Sequence, residues 1–324
     1  MPESISPLRP AEAQRLLHAL VDALDGALSC RRGAIELAVM TIAAGGHLLL
    51  EDVPGIGKTT LARALAGAVR ARASRIQFTP DMLPSDLTGV TVFDQSAKSF
   101  TFHPGPLFAQ VVLADEINRA NPKTQAALLE AMGEGHVTVD GKTYRLPRPF
   151  MVIATQNPIE MEGTYPLPEA QLDRFMCRVS LGYPDAEAEA RMLMAPSGRD
   201  PASGLAPVCT TDELRALAGA AANVHVAPAV ASYAVALLDA TRTSPLTHLG
   251  ASPRAGLALL AMSRVRALAR GQEAVFPGDI RAMAPTVLTH RIVFTDPQAT
   301  SAAPSHQAEL LEHILADVPA PRRR

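Results

Sequence analysis

Apolar positions follow two different periods in the two halves of this chain. Between residues 8 and 40, Leu16, Leu17, Leu20, Val21 and Leu24, then Ile35, Leu37 and Val39, fall at helical spacing, and this predicts a helical lead-in packed on the domain beyond it. The next apolar positions come in short continuous runs: LLL at 48–50, IQF within 75–79, VVLA at 111–114, FMVIA at 150–154 and CRVSLG from 177. Continuous runs of this length mark strands buried on both faces, as in a parallel sheet. Helical patterns separate them, LARALAGAV after 60 and the helix after Asn121-Pro122 that buries Leu128, Leu129 and Met132. Two stretches break the strand–helix alternation. In TVFDQSAKSFTFHPGPLF (91–108) and GHVTVDGKTYRL (135–146), paired β-rich runs flank DQSAKS and Asp140-Gly141, so both predict β-hairpin insertions. Helices alone are expected from about 185 onward, with SGRDPASGLAP (197–207) as a linker and Ser252 and Pro253 as cap and first residue of one helix. The pattern divides the chain into a helical lead-in (1–34), an α/β domain (35–184), and a smaller all-α domain with a C-terminal tail (185–324).

Composition narrows this picture. With 324 residues, 48% hydrophobic and 19% charged, the chain has an ordinary globular mix. A formal net charge of -2 gives no global field for nucleic acid, so no direct nucleic-acid partner is expected. Only four of its 30 basic residues are lysines (58, 98, 123 and 142), so a single arginine is a weak signal. Cys30, Cys177 and Cys209 lie far apart with no C-x-x-C, and neither a zinc site nor a disulfide framework is expected. The N-terminal MPESISPLRPAEAQ lacks the apolar run of a secretory signal, so a cytoplasmic location is expected. The uncharged stretch 216–238 is alanine-rich and contains Asn223, His225 and Pro228; it reads as two helices broken near Pro228 rather than a membrane span.

The candidate chemistry is concentrated at strand ends. LLLEDVPGIGKTTL (48–61) is a strand, a glycine turn and a helix start. Glycines at 55 and 57 allow backbone conformations that turn successive N–H groups inward, toward a phosphate at the positive end of the helix. Lys58 is placed to reach β- and γ-phosphates and Thr59 to ligate Mg²⁺. The nucleotide contacts are expected along Asp52, Val53, Pro54, Gly55, Ile56, Gly57, Lys58, Thr59 and Thr60. Asp52 stands where the phosphate-loop pattern has its first glycine, and Pro54-Gly55 is expected to supply the turn. The VVLA run ends in Asp115 and Glu116, the first placed to hold Mg²⁺ and the second to polarise an attacking water. PFMVIATQNP (149–158) ends in Gln156 and Asn157, whose amides suit orienting that water.

Together, EDVPGIGKTTLA (51–62), IQFTPDMLPSDLTG (76–89), HPGPLFAQVVLADEINRANPKTQAALLEAM (103–132), ATQNPIEMEGTYPLPEAQLDRF (154–175) and ASPRAGLALL (251–260) resemble the MoxR-type ATPases of the AAA+ superfamily. The resemblance covers roughly residues 35–290. It implies an α/β AAA+ P-loop core with a five-stranded parallel sheet, hairpin insertions and a helical lid. It implies a homo-oligomer, a hexameric ring, that hydrolyses ATP with Mg²⁺ and acts in a chaperone-like way on client proteins, including metal or cofactor insertion, alongside a von Willebrand factor A domain partner. On this resemblance Glu116 is the catalytic base, Asn157 the first sensor, Arg174 an arginine finger reaching a neighbour's ATP, and Arg254 the second sensor in the lid; Arg119 is a further candidate contact across the ring. Three other readings remain at this point, one of them a nucleotide-dependent scaffold that does not hydrolyse ATP. Asp86-Leu87-Thr88-Gly89 fits the D-x-x-G of GTPase switches, and an AAA+ motor on nucleic acid would share the same core.

Overall fold

The computed structural model describes residues 5–28, 30–52, 55–156, 164–183, 186–194, 204–300 and 304–321. The lead-in forms two helices, α1 (Pro10–Ala27) and α2 (Arg32–Ala43), the second running through Gly33. After them come β1 (Leu48–Glu51), α3 (Lys58–Ala68), β2 (Ala73–Gln77) and the short α4 (Pro84–Thr88). The first hairpin is β3 (Gly89–Asp94) with β4 (Ser99–Pro104). After β5 (Val111–Asp115) and α5 (Pro122–Glu134) comes the second, β6 (His136–Val139) with β7 (Lys142–Arg145), turning at Asp140-Gly141. The α/β part closes with β8 (Met151–Gln156), α6 (Glu169–Leu172) and β9 (Cys177–Val179). The remainder is α7 (Ala186–Met194), α8 (Thr211–Ala222), α9 (Pro228–Thr243), β10 (Thr247–Leu249), α10 (Pro253–Ala269), α11 (Pro277–Leu288), β11 (Val293–Phe294), α12 (Pro297–Thr300) and α13 (Pro304–Leu315).

The five central strands pair in parallel in the order β2-β5-β8-β1-β9. Their side chains alternate between two apolar clusters, as the pleat requires. Leu49, Val112, Ala114, Val152 and Ala154 face α5, Phe78, Leu87 and Phe175. Leu48, Leu50, Val111, Leu113 and Ile153 face α1, α2 and α3, and that cluster continues without a break into α8, α9, α10 and α11. The lead-in helices therefore pack on both the sheet and the lid helices. The break before α9 sits where Pro228 takes the first helical position, which lacks an N–H partner in any case.

The structure adds one thing to the helical lid. β10 and β11 form a small antiparallel ribbon, where the sequence gives no strand. Two-residue and three-residue strands carry too few positions for a period to register. The proposed linker lies largely outside the described residues. Among the described residues no helix is long and apolar enough to cross a membrane.

Candidate functional site

The site lies at the carboxyl edge of the parallel sheet, where chemistry in open α/β sheets is placed. β1, β8 and β5 are neighbours, so their ends bring Glu51, Gln156 and Asp115 to one edge. Gly55 (φ +87°) and Gly57 (φ +93°) hold left-handed conformations, and both have open space where a side chain would stand. Gly57 caps α3, so the unpaired N–H groups of that helix face out of the loop. Gly55, Gly57, Lys58, Thr59, Thr60, Arg75, Gln77, Asp115 and Glu116 line one cavity of about 380 Å³. Ile56 turns away and packs against the main core.

Lys58 Nζ donates to the carbonyl of Asp52 at 2.9 Å. Burial pushes its ammonium below the usual lysine range, and the charges of Asp115, Asp52 and Glu116 oppose that push. Asp52 itself has a structural use. Its carboxylate accepts from Ser180 Oγ at 2.8 Å and from the N–H of Leu181, so it ties the start of the loop to the chain leaving β9. A glycine at this position could do neither.

The two acids are held by groups that carry no local signal in the sequence. Asp115 Oδ1 accepts from Thr155 Oγ1 at 2.7 Å, and Thr155 Oγ1 accepts from the N–H of Glu116 at 2.9 Å. One buried hydroxyl thus orients both acids. Asp115 Oδ2 pairs with Arg75 at 2.7 Å, and Glu116 Oε2 accepts from Gln77 Nε2 at 2.9 Å and pairs with Arg119 Nε at 3.0 Å. Arg75 and Gln77 are two apart on β2, so they share the face beside Asp115. That two-residue spacing was the available signal, and in an arginine-rich chain it carried little weight. Glu116 has φ +58°, a left-handed conformation that costs a non-glycine residue free energy. It turns the carboxylate toward the cleft as the strand ends.

The candidate residues are not all in one place. Asn157, Val53 and Pro54 lie outside the described residues. Arg174 and Arg254 do not line the cleft of their own chain. The Arg174 guanidinium donates to the carbonyl of Leu129 at 2.9 Å, on α5, while the neighbouring Asp173 carboxylate pairs with Arg291. Arg254 is exposed in the first turn of α10, whose cap Ser252 accepts from the N–H of Ala255 at 3.0 Å. Arg119 is drawn to Glu116. Asp86 of the D-x-x-G stretch accepts from the N–H of Leu83 at 2.8 Å at the start of α4, which is a helix-start role and not a phosphate contact. No cluster of three or more His, Cys, Asp or Glu at metal-binding distance exists among the described residues. Thr59 and Asp115 both line the cleft, and one carboxylate and one hydroxyl fit an ion such as Mg²⁺ that takes one or two carboxylates plus phosphate oxygens.

Residues 47–177 match the family described as the ATPase family associated with various cellular activities (AAA), and residues 239–314 match the AAA lid domain. The chain is 43% identical to protein YeaC of Bacillus subtilis, over 95% of this chain and 96% of that one. It is 44% identical to Chaperone MoxR1 of Mycobacterium tuberculosis (81% and 71%) and 33% identical to Protein MoxR of Methylorubrum extorquens (89% and 90%). A crystal structure from Cytophaga hutchinsonii superposes with a TM-score of 0.86 at 33% identity, covering 97% of each chain.

Proposed function

The chain belongs to the MoxR-type AAA+ ATPases, and from that membership we propose that it hydrolyses ATP with Mg²⁺ in a ring of identical subunits, a hexamer, to remodel client proteins. The observation that carries this reading is the convergence of Lys58, Thr59, Asp115 and Glu116 on one cleft at the start of α3. The loop N–H groups and Lys58 bind and orient the phosphates. Lys58 leaves the Asp52 carbonyl for the nucleotide, exchanging a neutral acceptor for charged ones. Thr59 and Asp115 would hold Mg²⁺, which when bound offsets charge on the β- and γ-phosphates. Arg75 neutralises Asp115 from the other side and limits the negative charge facing a polyanion. Glu116, fixed through Thr155 and Gln77, takes the proton of the attacking water. Arg174 acts on the ATP of the neighbouring subunit, since in its own chain it rests on α5. Asn157 orients the water, and Arg254 meets phosphate from the lid. The naming of one relative as a chaperone supports a chaperone-like role; the finer proposal, a cytoplasmic location, metal or cofactor insertion and a von Willebrand factor A domain partner, rests on the family resemblance alone.

The test is phosphate release by wild type, Lys58→Ala and Glu116→Gln. Glu116→Gln should keep ATP binding and lose about 10²–10⁴ in kcat, and Lys58→Ala should lose binding as well. Full turnover by Lys58→Ala would remove the basis of the assignment.

A further inference from the structure

Arg174 is the residue expected to leave its own subunit, so what fixes it matters. Its side chain is seated in a notch: a Cβ on Gly133 of α5 would stand 2.1 Å from Arg174 Nη1, so a side chain there would push the guanidinium aside. Its backbone is seated by the lid. Arg291, just after α11, has five N–H directions, and all five are used. Nε pairs with the Asp173 carboxylate at 2.8 Å. Nη2 donates to the carbonyls of Phe175 at 2.6 Å and Asp173 at 3.2 Å, and Nη1 to the carbonyls of Met176 at 3.3 Å and Val287. Four of these five bonds grip residues 173–176, on both sides of Arg174. His290 Nε2 adds a bond to the carbonyl of Phe175 at 2.9 Å, and Ser252, the cap of the helix that carries Arg254, bonds both Asp173 oxygens at 3.0 Å. The Arg291 side chain is 2% exposed, so these bonds act without competition from water.

The same lid turn also reaches the phosphate loop. Arg178 donates to Thr289 Oγ1 at 3.0 Å and to Gln307, and pairs with Glu51 at 3.1 Å, one residue before Asp52. Hydrogen bonds of Arg178 at one end and Arg291 at the other thus tie the end of β1 and the segment that carries Arg174 to the same short turn, residues 289–291.

We infer that Arg291 is a positioning residue through which the lid of one subunit sets the arginine offered to the ATP of the next. This rests on the reading of Arg174 as a finger acting in trans. A lid shift on nucleotide binding then moves residues 173–176 with it, and one subunit's nucleotide state reaches its neighbour's catalysis through Asp173 and Arg174. Lysine cannot replace Arg291, because three donors on a flexible stem cannot meet five fixed acceptors.

The test uses the full chain. Arg291→Lys should lower kcat by about 10²-fold, the order expected when a catalytic group is misplaced by about 1 Å, with KM for ATP within about twofold of wild type. Mixing it with Glu116→Gln subunits, whose own site is dead but whose Arg174 is intact, should restore turnover at the Arg291→Lys sites. Where Arg291→Lys does not fold, Asp173→Asn carries the same test, since it keeps the shape and removes the charge Arg291 grips. Loss of turnover that the Glu116→Gln subunits do not restore means damage within the subunit and overturns the inference. So does full kcat in both variants while Arg174→Ala is inactive. Full kcat in Arg174→Ala instead sinks the finger reading on which the inference stands.

Discussion

Asp52 stands where a phosphate loop ordinarily has glycine, so restoring the glycine is an informative perturbation. On pattern alone, Asp52→Gly should improve the loop. The structure predicts the reverse. The carboxylate holds Ser180 Oγ and the N–H of Leu181, and both bonds fix the start of the loop against β9 before nucleotide arrives. Bonds to a charged group contribute about 1.5–3 kcal/mol each, and the exposure of Ser180 places this pair toward the low end. Glycine adds about 0.5–1 kcal/mol of backbone freedom to be lost on ordering. A total of about 3.5–4 kcal/mol, falling on the ordering step, weakens ATP binding by roughly 300–900-fold. Calorimetric or fluorescent-nucleotide titration measures this directly, with Asp52→Asn as the intermediate case because its amide oxygen still accepts. Equal or tighter ATP binding by Asp52→Gly would show that the carboxylate does not preorganise the loop.

Thr155→Val keeps shape and removes the hydroxyl that orients Asp115 and the Glu116 N–H; stability should fall by about 1–3 kcal/mol in urea titration, and kcat should fall more than the affinity for ATP changes. Gly133→Ala should displace Arg174 from its notch and lower kcat with little change in melting temperature, as read by steady-state kinetics and calorimetry side by side. His47 accepts from the N–H of Val152 at 3.0 Å through Nδ1, so Nε2 carries the proton and donates to the carbonyl of Met132 at 3.1 Å. Burial holds its pKa down at about 4. Because the unfolded value is about 6.5, the stabilisation is complete above pH 6.5 and disappears as pH falls from 6.5 to 4, a loss of about 3 kcal/mol. His290, also lowered by burial, adds in the same direction. Stability measured from pH 7 to 4.5 should show this slope, and His47→Gln should flatten it.

What could be read from sequence was what one short segment encodes by itself. The strand–glycine–lysine turn, the paired acids after four apolar residues and the Asp140-Gly141 hairpin each carry their signal within a dozen positions, and each stands where expected. The supporting groups were not legible, because each acts across the chain. Arg75 meets Asp115 from 40 residues away, and Arg291 meets Asp173 from 118 away. Neither has a local pattern, and with 26 arginines against four lysines the residue type alone selects nothing. Asp52 looked like a defect in the motif because its partners, at 180 and 181, become neighbours only when β9 pairs with β1. The continuous core from α1 to α11 was hidden for the same reason: helical spacing identifies a buried face but not the helix it meets.

The central claim is an ATPase site completed by a neighbour, and its most direct test is ATPase activity per subunit across protein concentration, with Mg²⁺ present and assembly followed by light scattering. The account predicts activity that rises with concentration and saturates as assembly completes. Constant activity per subunit well below the assembly threshold would mean that each subunit hydrolyses alone, and Arg174 would have no part in a neighbour's reaction.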